Sequence, residues 1–194
     1  GGEYFCIVNT DVIVTPGWLT GLIECIEHRE GIGIVGPMTN SISGPQQFSE
    51  GKYNSLFKMI EFSRTFRESF KKNYVPWYRI VFFCVLIKRE VYEKIGGLDE
   101  RFTPGNFEDD DYCIRAIHAG FRNYFAHDVF VHHHGSKSHD QVSYQKLLHI
   151  NKLKFENKWR EWLKKHSRIS VCTIFRDEEK NIGLFLDRHL PMFD

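Results

Sequence analysis

The sequence predicts an α/β fold in which helices flank a mixed, mainly parallel sheet. Short, continuously apolar runs, such as YFCIV at Tyr4–Val8, are typical of strands that are buried on both faces of a sheet. Amphipathic stretches with helical spacing alternate with these runs along the chain. A strand, a helix and a second strand follow one another at the start, and this is the βαβ unit from which parallel sheets are built.

Turn and capping residues mark the predicted start of the first helix and the predicted end of the second strand. Thr15 is predicted to cap a helix that has Pro16 at its first position, where the missing N–H of proline costs nothing. A second strand over residues 32–35 then ends at Gly36 and Pro37. The crossover between the two strands should be right-handed, as nearly all such connections are.

The middle of the chain continues the alternation. After a polar loop over residues 38–54, residues 56–72 have helical spacing and many charges. Residues 79–87, RIVFFCVLI, form another continuously apolar strand. The short helix Arg89–Ile95 follows and is stopped by two glycines.

An acidic helix is predicted over residues 108–119, with Asn106 as its cap and Gly120 as its stop. Two strands and a long amphipathic helix complete this part of the chain, over residues 122–126, 128–134 and 143–165.

Composition limits the classes of protein to be considered. The chain has 194 residues, of which 42% are apolar, so one sizeable core can form. Lys and Arg number 26 and Asp and Glu 25, and this balance argues against nucleic acid as the main partner. The five cysteines are scattered and odd in number, which indicates thiols of a reducing, cytoplasmic compartment. No apolar run approaches the roughly 20 residues of a membrane span.

Asn9, Thr10 and Asp11 follow the first strand directly. Ligands of open α/β sheets collect at the carboxyl ends of strands. A carboxylate there can hold a hard divalent cation, which in turn binds phosphate oxygens. The alternative is a polar turn that leads into the next helix, and the spacing alone favours that alternative.

Four consecutive carboxylates occupy the predicted start of the acidic helix, at residues 108–111. Asp111 and Arg115 stand four residues apart and should pair along the helix. No local partner is evident for Glu108, Asp109 or Asp110. A carboxylate held near a reacting hydroxyl can accept its proton. A solvated helix start, stabilised by the helix dipole, is the alternative.

Three adjacent histidines end the last predicted strand. His132 and His134 should point to one face of the sheet and His133 to the other. A structural zinc site would need more Cys or His partners at suitable spacing than the sequence offers. A metal shared with Asp11 fits better, since phosphate can complete the coordination shell. The alternative is a surface strand end that happens to carry histidines.

In their order along the chain, these motifs resemble the inverting, family-2 type glycosyltransferases with the GT-A fold, a Rossmann-like α/β fold. The most specific part of the resemblance is KREVYEKIGGLDERF followed by FEDDDYCIR, within residues 88–115. The motifs NTD and HHHGSKS add to it, and the resemblance covers residues 4–166. It implies the metal-dependent, inverting transfer of a sugar from a nucleotide-diphosphate sugar to an acceptor hydroxyl, as in the synthesis of bacterial surface polysaccharides.

The resemblance also implies roles for the site residues. Asn9 to Asp11 match the D-x-D type motif, whose last residue, here Asp11, holds Mg²⁺ or Mn²⁺ on the donor diphosphate. Asn9 replaces the first Asp of the motif, which leaves its role in binding the cofactor open. Glu108 and Asp109 match the pair that supplies the general base, with Asp109 as the first choice and Glu108 as the second.

The remaining matches are supporting residues. His132 matches the histidine that completes the metal site in some members of the family, and His134 is the second choice because it shares that face. Asp111 and Arg115 match the supporting residues of the acidic helix. The implied partners are a nucleotide sugar and a glycan acceptor. The implied place is the cytoplasm, with peripheral attachment to the inner face of the membrane as an option.

The domain organisation departs from that family. A complete domain begins with a βαβ segment that binds the base and ribose, and this nucleotide-binding half is missing at the N-terminus. We therefore expect residues 1–166 to be the C-terminal part of one GT-A domain, and residues 167–194 to be the first strand and helix of a following glycosyltransferase-like domain. Alternatively, this tail docks on residues 1–166, within one chain or by strand exchange in a homodimer. Either way, the isolated chain is expected to be nearly inactive.

Two other classes of function stay open at this stage. A non-catalytic module could bind a glycan or a protein partner on a glycosyltransferase scaffold. A histidine-rich metal-binding protein would instead take up zinc tightly and without any nucleotide.

Overall fold

The computed structural model describes residues 2–135 and 141–166. The chain divides into two compact units, Gly1–Lys158 and Trp159–Asp194. In the second unit, the described residues are 159–166, which belong to the last helix. The strand and helix predicted within residues 167–194 lie outside the described residues.

Strands and helices alternate through the described residues, as the apolar runs predict. The strands are β1 (Tyr4–Val8), β2 (Val12–Ile13), β3 (Ile32–Thr39), β4 (Tyr74–Pro76), β5 (Cys84–Lys88) and β6 (Arg122–His133). The α-helices are α1 (Trp18–Ile26), α2 (Leu56–Ser69), α3 (Arg89–Ile95), α4 (Glu108–His118) and α5 (Gln141–His166), and a 3-10 helix lies at Glu100–Phe102.

The strands form a mixed sheet in the order β1-β5-β3-β6-β2, and β4 also pairs with β6. β3 and β6 pair in parallel, whereas the other four pairings are antiparallel. The mixed α/β class is therefore confirmed, but the prediction of mainly parallel pairing is wrong. β1 and β3 run in the same direction, and α1 lies between them in the sequence. In the sheet, however, β5 lies between them and pairs antiparallel with both.

β3 lies at the centre of the core, because all 8 of its residues are buried. Its successive side chains serve opposite faces of the sheet. Ile34 belongs to a cluster with Phe66 of α2 and Tyr112 of α4. Val35 belongs to a second cluster, with Leu22 of α1. Helices therefore cover both faces of the sheet, as the continuously apolar runs predict.

The strand predicted over residues 79–87 begins only at Cys84. Before that point, the N–H groups of Ile80 and Val81 donate to side chains and not to a neighbouring strand. The N–H of Ile80 donates to Cys113 Sγ at 3.3 Å, and the N–H of Val81 donates to Gln46 Oε1 at 2.9 Å. The apolar run is buried as predicted, but its first half is an irregular segment packed under α4.

Both predicted N-caps are wrong. α1 begins at Trp18 behind Gly17, and the hydroxyl of Thr15 donates instead to the carbonyl of Phe130 on β6. α4 begins behind Phe107, and no side chain caps it. The side-chain oxygen of Asn106 accepts a hydrogen bond from Tyr144. In both cases a tertiary contact replaces the local capping bond.

The two strands predicted over residues 122–126 and 128–134 form one strand, β6. Pro37 of β3 pairs with Ala126 of β6, and the next residue, Met38, pairs with Phe130. The β6 residues between Ala126 and Phe130 therefore bulge out of the pairing with β3, but β6 continues as one strand. The predicted helices over residues 56–72 and 143–165 are confirmed, with ends that differ by a few residues.

The thiols lie largely in the core. Cys25, Cys84 and Cys113 are buried and free, whereas Cys6 is exposed on β1. Cys172 lies outside the described residues. None of the helices in the described ranges is long and apolar enough to cross a membrane.

Candidate functional site

The NTD turn and the histidine strand are direct neighbours. Asn9 to Asp11 connect β1 to β2, and the N–H of Asn9 donates to the carbonyl of Phe83 at 2.8 Å. β2 pairs with the end of β6, and the N–H of His134 donates to the carbonyl of Asp11 at 3.0 Å. Backbone hydrogen bonds therefore bring together two segments that lie about 120 residues apart in the sequence.

The side chain of His133 faces Asp11. Nε2 of His133 lies 3.3 Å from Oδ2 of Asp11, and both side chains are largely shielded from solvent. The backbone of His133 is held on both sides by Asn40, whose amide accepts from the His133 N–H at 2.8 Å and donates to the His133 carbonyl at 3.0 Å. The ring of Phe83 stacks on the imidazole.

The other nitrogen of His133 fixes the position of the ring proton. Nδ1 lies 2.8 Å from the carbonyl oxygen of Ser41. Because a carbonyl oxygen only accepts, Nδ1 must carry the proton in this hydrogen bond. A neutral imidazole then presents the lone pair of Nε2 to the Asp11 carboxylate. That lone pair and the carboxylate could together bind one cation, whereas a protonated imidazole would form an ion pair with Asp11 directly.

Asp11 and His133 fit a divalent cation in part. Their donor atoms are 3.3 Å apart, which suits two ligands that each bind one ion at about 2.0–2.2 Å. Histidines that bind metal usually donate their other N–H to a carbonyl or carboxylate, as His133 does to Ser41. Within residues 2–135 and 141–166, however, no group of three or more His, Cys, Asp or Glu side chains could hold a metal ion. Further ligands would come from phosphate oxygens or water.

His132 and His134 lie on the other side of the strand, as the alternation predicts. Their rings are 4.6 Å apart, edge to face. Nδ1 of His132 lies 2.6 Å from the hydroxyl of Tyr53. Burial lowers the pKa of His132, and the neighbouring His134 and His133 lower it further. The structure thus brings His133 to the Asp11 side chain and brings His132 to Tyr53.

Cations neutralise Asp111 at the start of α4. The predicted pair with Arg115 is present, with 2.9 Å between Arg115 Nε and Asp111 Oδ2. Lys158 of α5 contacts the other carboxylate oxygen and also binds Asp99 at 2.7 Å. Asp111 is fully buried, so these partners are needed to keep its charge in the core.

Asp110 has a partner that is distant in sequence. Nε of Arg79 lies 2.8 Å from Asp110 Oδ1. The pair is close but poorly aligned, since the same Nε makes no hydrogen bond within the described residues. Burial raises the pKa of Asp110 to about 7, the charge of Asp109 adds to the rise, and Arg79 opposes it.

Glu108 and Asp109 have no ion-pair partner in the described part of the chain. Asp109 is buried, and its Oδ1 accepts the N–H of Asp110 at 2.9 Å. Burial raises the pKa of Glu108, and the nearby charge of Asp109 raises it further. Oε2 of Glu108 is buried without a hydrogen-bond partner among the described residues. The two carboxylates that match the general-base pair are therefore the two carboxylates of this cluster without an ion-pair partner among the described residues.

The loop over residues 40–46 links the two halves of the candidate site. At one end, Asn40 and Ser41 hold His133. At the other end, Ser43 Oγ lies 3.5 Å from Nη1 of Arg79, the residue that pairs with Asp110. One loop therefore contacts both the histidine strand and the arginine that reaches the acidic helix.

The sequence did not reveal Arg79, Ser41, Tyr53 or Lys158 as parts of the site. Each is a single polar residue in a loop or on a helix, and no local pattern marks it. Asn40 offered a signal, because it stands directly after the buried strand β3, at the end where ligands collect.

No family model matches the chain. Over 147 residues it is 28% identical to the uncharacterized protein y4gI of Sinorhizobium fredii, a match that covers 71% of this chain and 16% of that protein. Over 155 residues it is 26% identical to the O-antigen biosynthesis protein RfbC of Myxococcus xanthus, and this match covers 71% of this chain and 11% of that protein. The chain spans less than a fifth of the length of either relative.

Proposed function

We propose that this protein acts in glycan synthesis as a metal-dependent, inverting glycosyltransferase that uses a nucleotide-diphosphate sugar. The distant similarity to an O-antigen biosynthesis protein supports the glycan class. One structural observation carries the rest of the proposal: the NTD turn lies against the histidine strand, and the loop beside it contacts the arginine that pairs with the acidic helix.

Asp11 and His133 would hold the divalent cation, Mg²⁺ or Mn²⁺. When bound, the cation neutralises the negative charge that grows on the departing diphosphate. Ser41 orients the imidazole by accepting its Nδ1 proton. His132 and His134 flank His133 on the other side of the strand, and their assignment to the metal, which the resemblance implies, stays a prediction.

Asp109 is the proposed general base. It would accept the proton of the acceptor hydroxyl as that oxygen attacks the sugar carbon from the side opposite the diphosphate. A carbon–oxygen bond forms on one face, the bond to the diphosphate breaks on the other with its electron pair, and the configuration inverts. The ion pairs of Asp110 and Asp111 leave Asp109 as the un-neutralised, buried carboxylate. Glu108, shifted toward its protonated form, is the second choice.

The alternative is a non-catalytic module that binds a glycan or a partner on the same scaffold. It is favoured by the lack of a three-ligand metal cluster in the described residues. The two proposals differ in the role of Asp109. A binding module needs no proton acceptor, so its function should not depend on that carboxylate.

The test is Asp109→Asn in the full-length gene product. Release of nucleoside diphosphate would be measured over a panel of nucleotide sugars with Mn²⁺. We expect the variant to lose about 10²–10⁴-fold in turnover, the usual contribution of a general base, with an unchanged circular dichroism spectrum. Glu93→Gln, an exposed carboxylate on α3, is the control. Equal turnover in Asp109→Asn and wild type would contradict the assignment of the base. Glycan binding without any sugar transfer by the wild type would favour the binding module.

A further inference from the structure

The turn before α4 holds an unfavourable backbone conformation. Asn106 and Phe107 have φ angles of 73° and 72°, in the left-handed region. For residues other than glycine this conformation is unfavourable, more so for Phe107 than for Asn106, whose short polar side chain tolerates it better, and it persists only where the surroundings impose it. No side chain caps α4 at this point. The turn therefore needs support from elsewhere in the fold, and Asp109 lies only two residues beyond it.

Asn151 of α5 supplies hydrogen bonds to this turn. Its side chain is fully buried, and its Nδ2 donates to the carbonyls of Phe102 at 2.8 Å, Gly105 at 2.7 Å and, more weakly, Asn106 at 3.4 Å. Lys154 donates to Asn151 Oδ1 at 2.9 Å and to the carbonyl of Arg101 at 2.7 Å. Because a lysine ammonium only donates, it fixes the amide with its NH₂ group toward the turn.

Other residues on the same face of α5 contact the same region. The ring of Phe155 packs against Phe107, with 5.3 Å between the ring centres. Lys158 binds Asp99 and Asp111, on either side of the turn. Residues 151, 154, 155 and 158 follow the three- and four-residue spacing of one helix face. This face of α5 therefore contacts the turn and the start of α4.

We propose that α5 holds the start of the acidic helix in place, and that Asn151 is the positioning residue for Asp109. Its three hydrogen bonds hold the carbonyls of residues 102, 105 and 106, and the turn sets the direction in which α4 begins. Without them, the turn relaxes toward an ordinary backbone conformation and Asp109 moves with it. The catalytic consequence rests on the proposed function, whereas the structural part does not.

Amide hydrogen exchange of the wild type and Asn151→Ala tests the structural part. The loss of these hydrogen bonds, two of them short and each of ordinary net strength, predicts at least about tenfold faster exchange in residues 103–111, with unchanged exchange in β3 and β5. Lys152→Ala, an exposed change on the same helix, is the control and should leave exchange unchanged. Unchanged exchange in residues 103–111, or faster exchange spread evenly over the core, would overturn the proposal.

Lys154→Met is a milder variant that keeps Asn151 but frees its amide to rotate. It should raise the amide exchange rate of residues 103–111 by a smaller factor. It replaces Asn151→Ala in the test if that variant does not fold. Equal exchange in Lys154→Met and wild type would then overturn the proposal. In the sugar-transfer assay, both variants should lower kcat with little change in KM for the donor. If the full-length wild type transfers no sugar, the proposed function fails, and the exchange data still decide whether α5 positions the turn.

Discussion

The four adjacent carboxylates of α4 have four different surroundings. Asp111 is neutralised by Arg115 and Lys158, and Asp110 is paired with Arg79. Glu108 and Asp109 keep acceptor capacity. The sequence predicted the Asp111–Arg115 pair, because residues four apart meet on a helix. It could not predict Arg79, which lies 31 positions before Asp110 and reaches it only through the fold.

Replacing Arg79 by methionine should destabilise the protein more at high pH than at low pH. The pKa of Asp110 is raised to about 7, so its proton favours the folded state at low pH, and that contribution is lost as the pH rises through about 7. At pH 8 the variant leaves a buried, unpaired carboxylate, which costs about 3 kcal/mol. At pH 5 the carboxyl group is protonated, and we expect about 1 kcal/mol or less, the net strength of one hydrogen bond.

Urea unfolding at the two pH values measures this difference. Arg64→Met, an exposed arginine on α2, is the control and should show a small effect at both. Equal losses of stability at pH 5 and pH 8 for Arg79→Met would mean that Asp110 is not its partner.

Asp11→Asn should weaken the binding of Mn²⁺, because it removes the charged ligand and keeps the size of the side chain. We expect at least about a tenfold rise in Kd by calorimetry, since even residues that only orient a metal ligand contribute 10- to 100-fold. Glu61→Gln, an exposed carboxylate on α2, should bind Mn²⁺ like the wild type. An Asp11→Asn variant with an unchanged Kd would remove Asp11 from the metal site.

At the scale of elements, apolar runs locate strands and helices well but do not give their ends or their order. The start of β3 was predicted correctly, because its burial on both faces requires an unbroken apolar sequence. The predicted end at Gly36 and Pro37 is wrong, since β3 pairs with β6 through both residues and continues to Thr39. Residues 79–83 are also largely apolar but are not a strand. The N–H groups of Ile80 and Val81 donate to the side chains of Cys113 and Gln46 and not to a neighbouring strand. The order of β1, β5 and β3 depends on pairings between distant segments, which periodicity does not encode.

Gly36 on β3 should not tolerate a side chain. A Cβ atom there would lie 2.5 Å from Gln46 Nε2 and 2.6 Å from Ile80 Cγ2. Gly36→Ala should therefore cost about 1–3 kcal/mol, as other overpacked core substitutions do. Gly97→Ala is the matched control, because its Cβ would meet only Tyr92, at 4.0 Å. Thermal unfolding of both variants measures the difference, and similar losses would show that the space beside β3 is not tight.

At the scale of the whole molecule, the candidate site is assembled from five separated segments. They are the NTD turn, the loop over residues 40–46, Arg79, the start of α4 and the end of β6. The sequence indicated three of these, because an acidic cluster, a histidine run and a carboxylate after a buried strand are local patterns. The loop contacts His133 and Arg79, and Arg79 contacts Asp110, so these connections depend on tertiary contacts alone.

The central claim is that the Asp11–His133 pair and the start of α4 face one site. Crystals of the protein soaked with Mn²⁺ and uridine diphosphate, the latter as a probe, test it through the anomalous signal of manganese. We predict a manganese peak in contact with Asp11 Oδ2 and His133 Nε2, with the diphosphate on the side that faces Asp109. A manganese ion bound away from Asp11 would contradict the account. So would a diphosphate bound on the side of the sheet opposite to the start of α4.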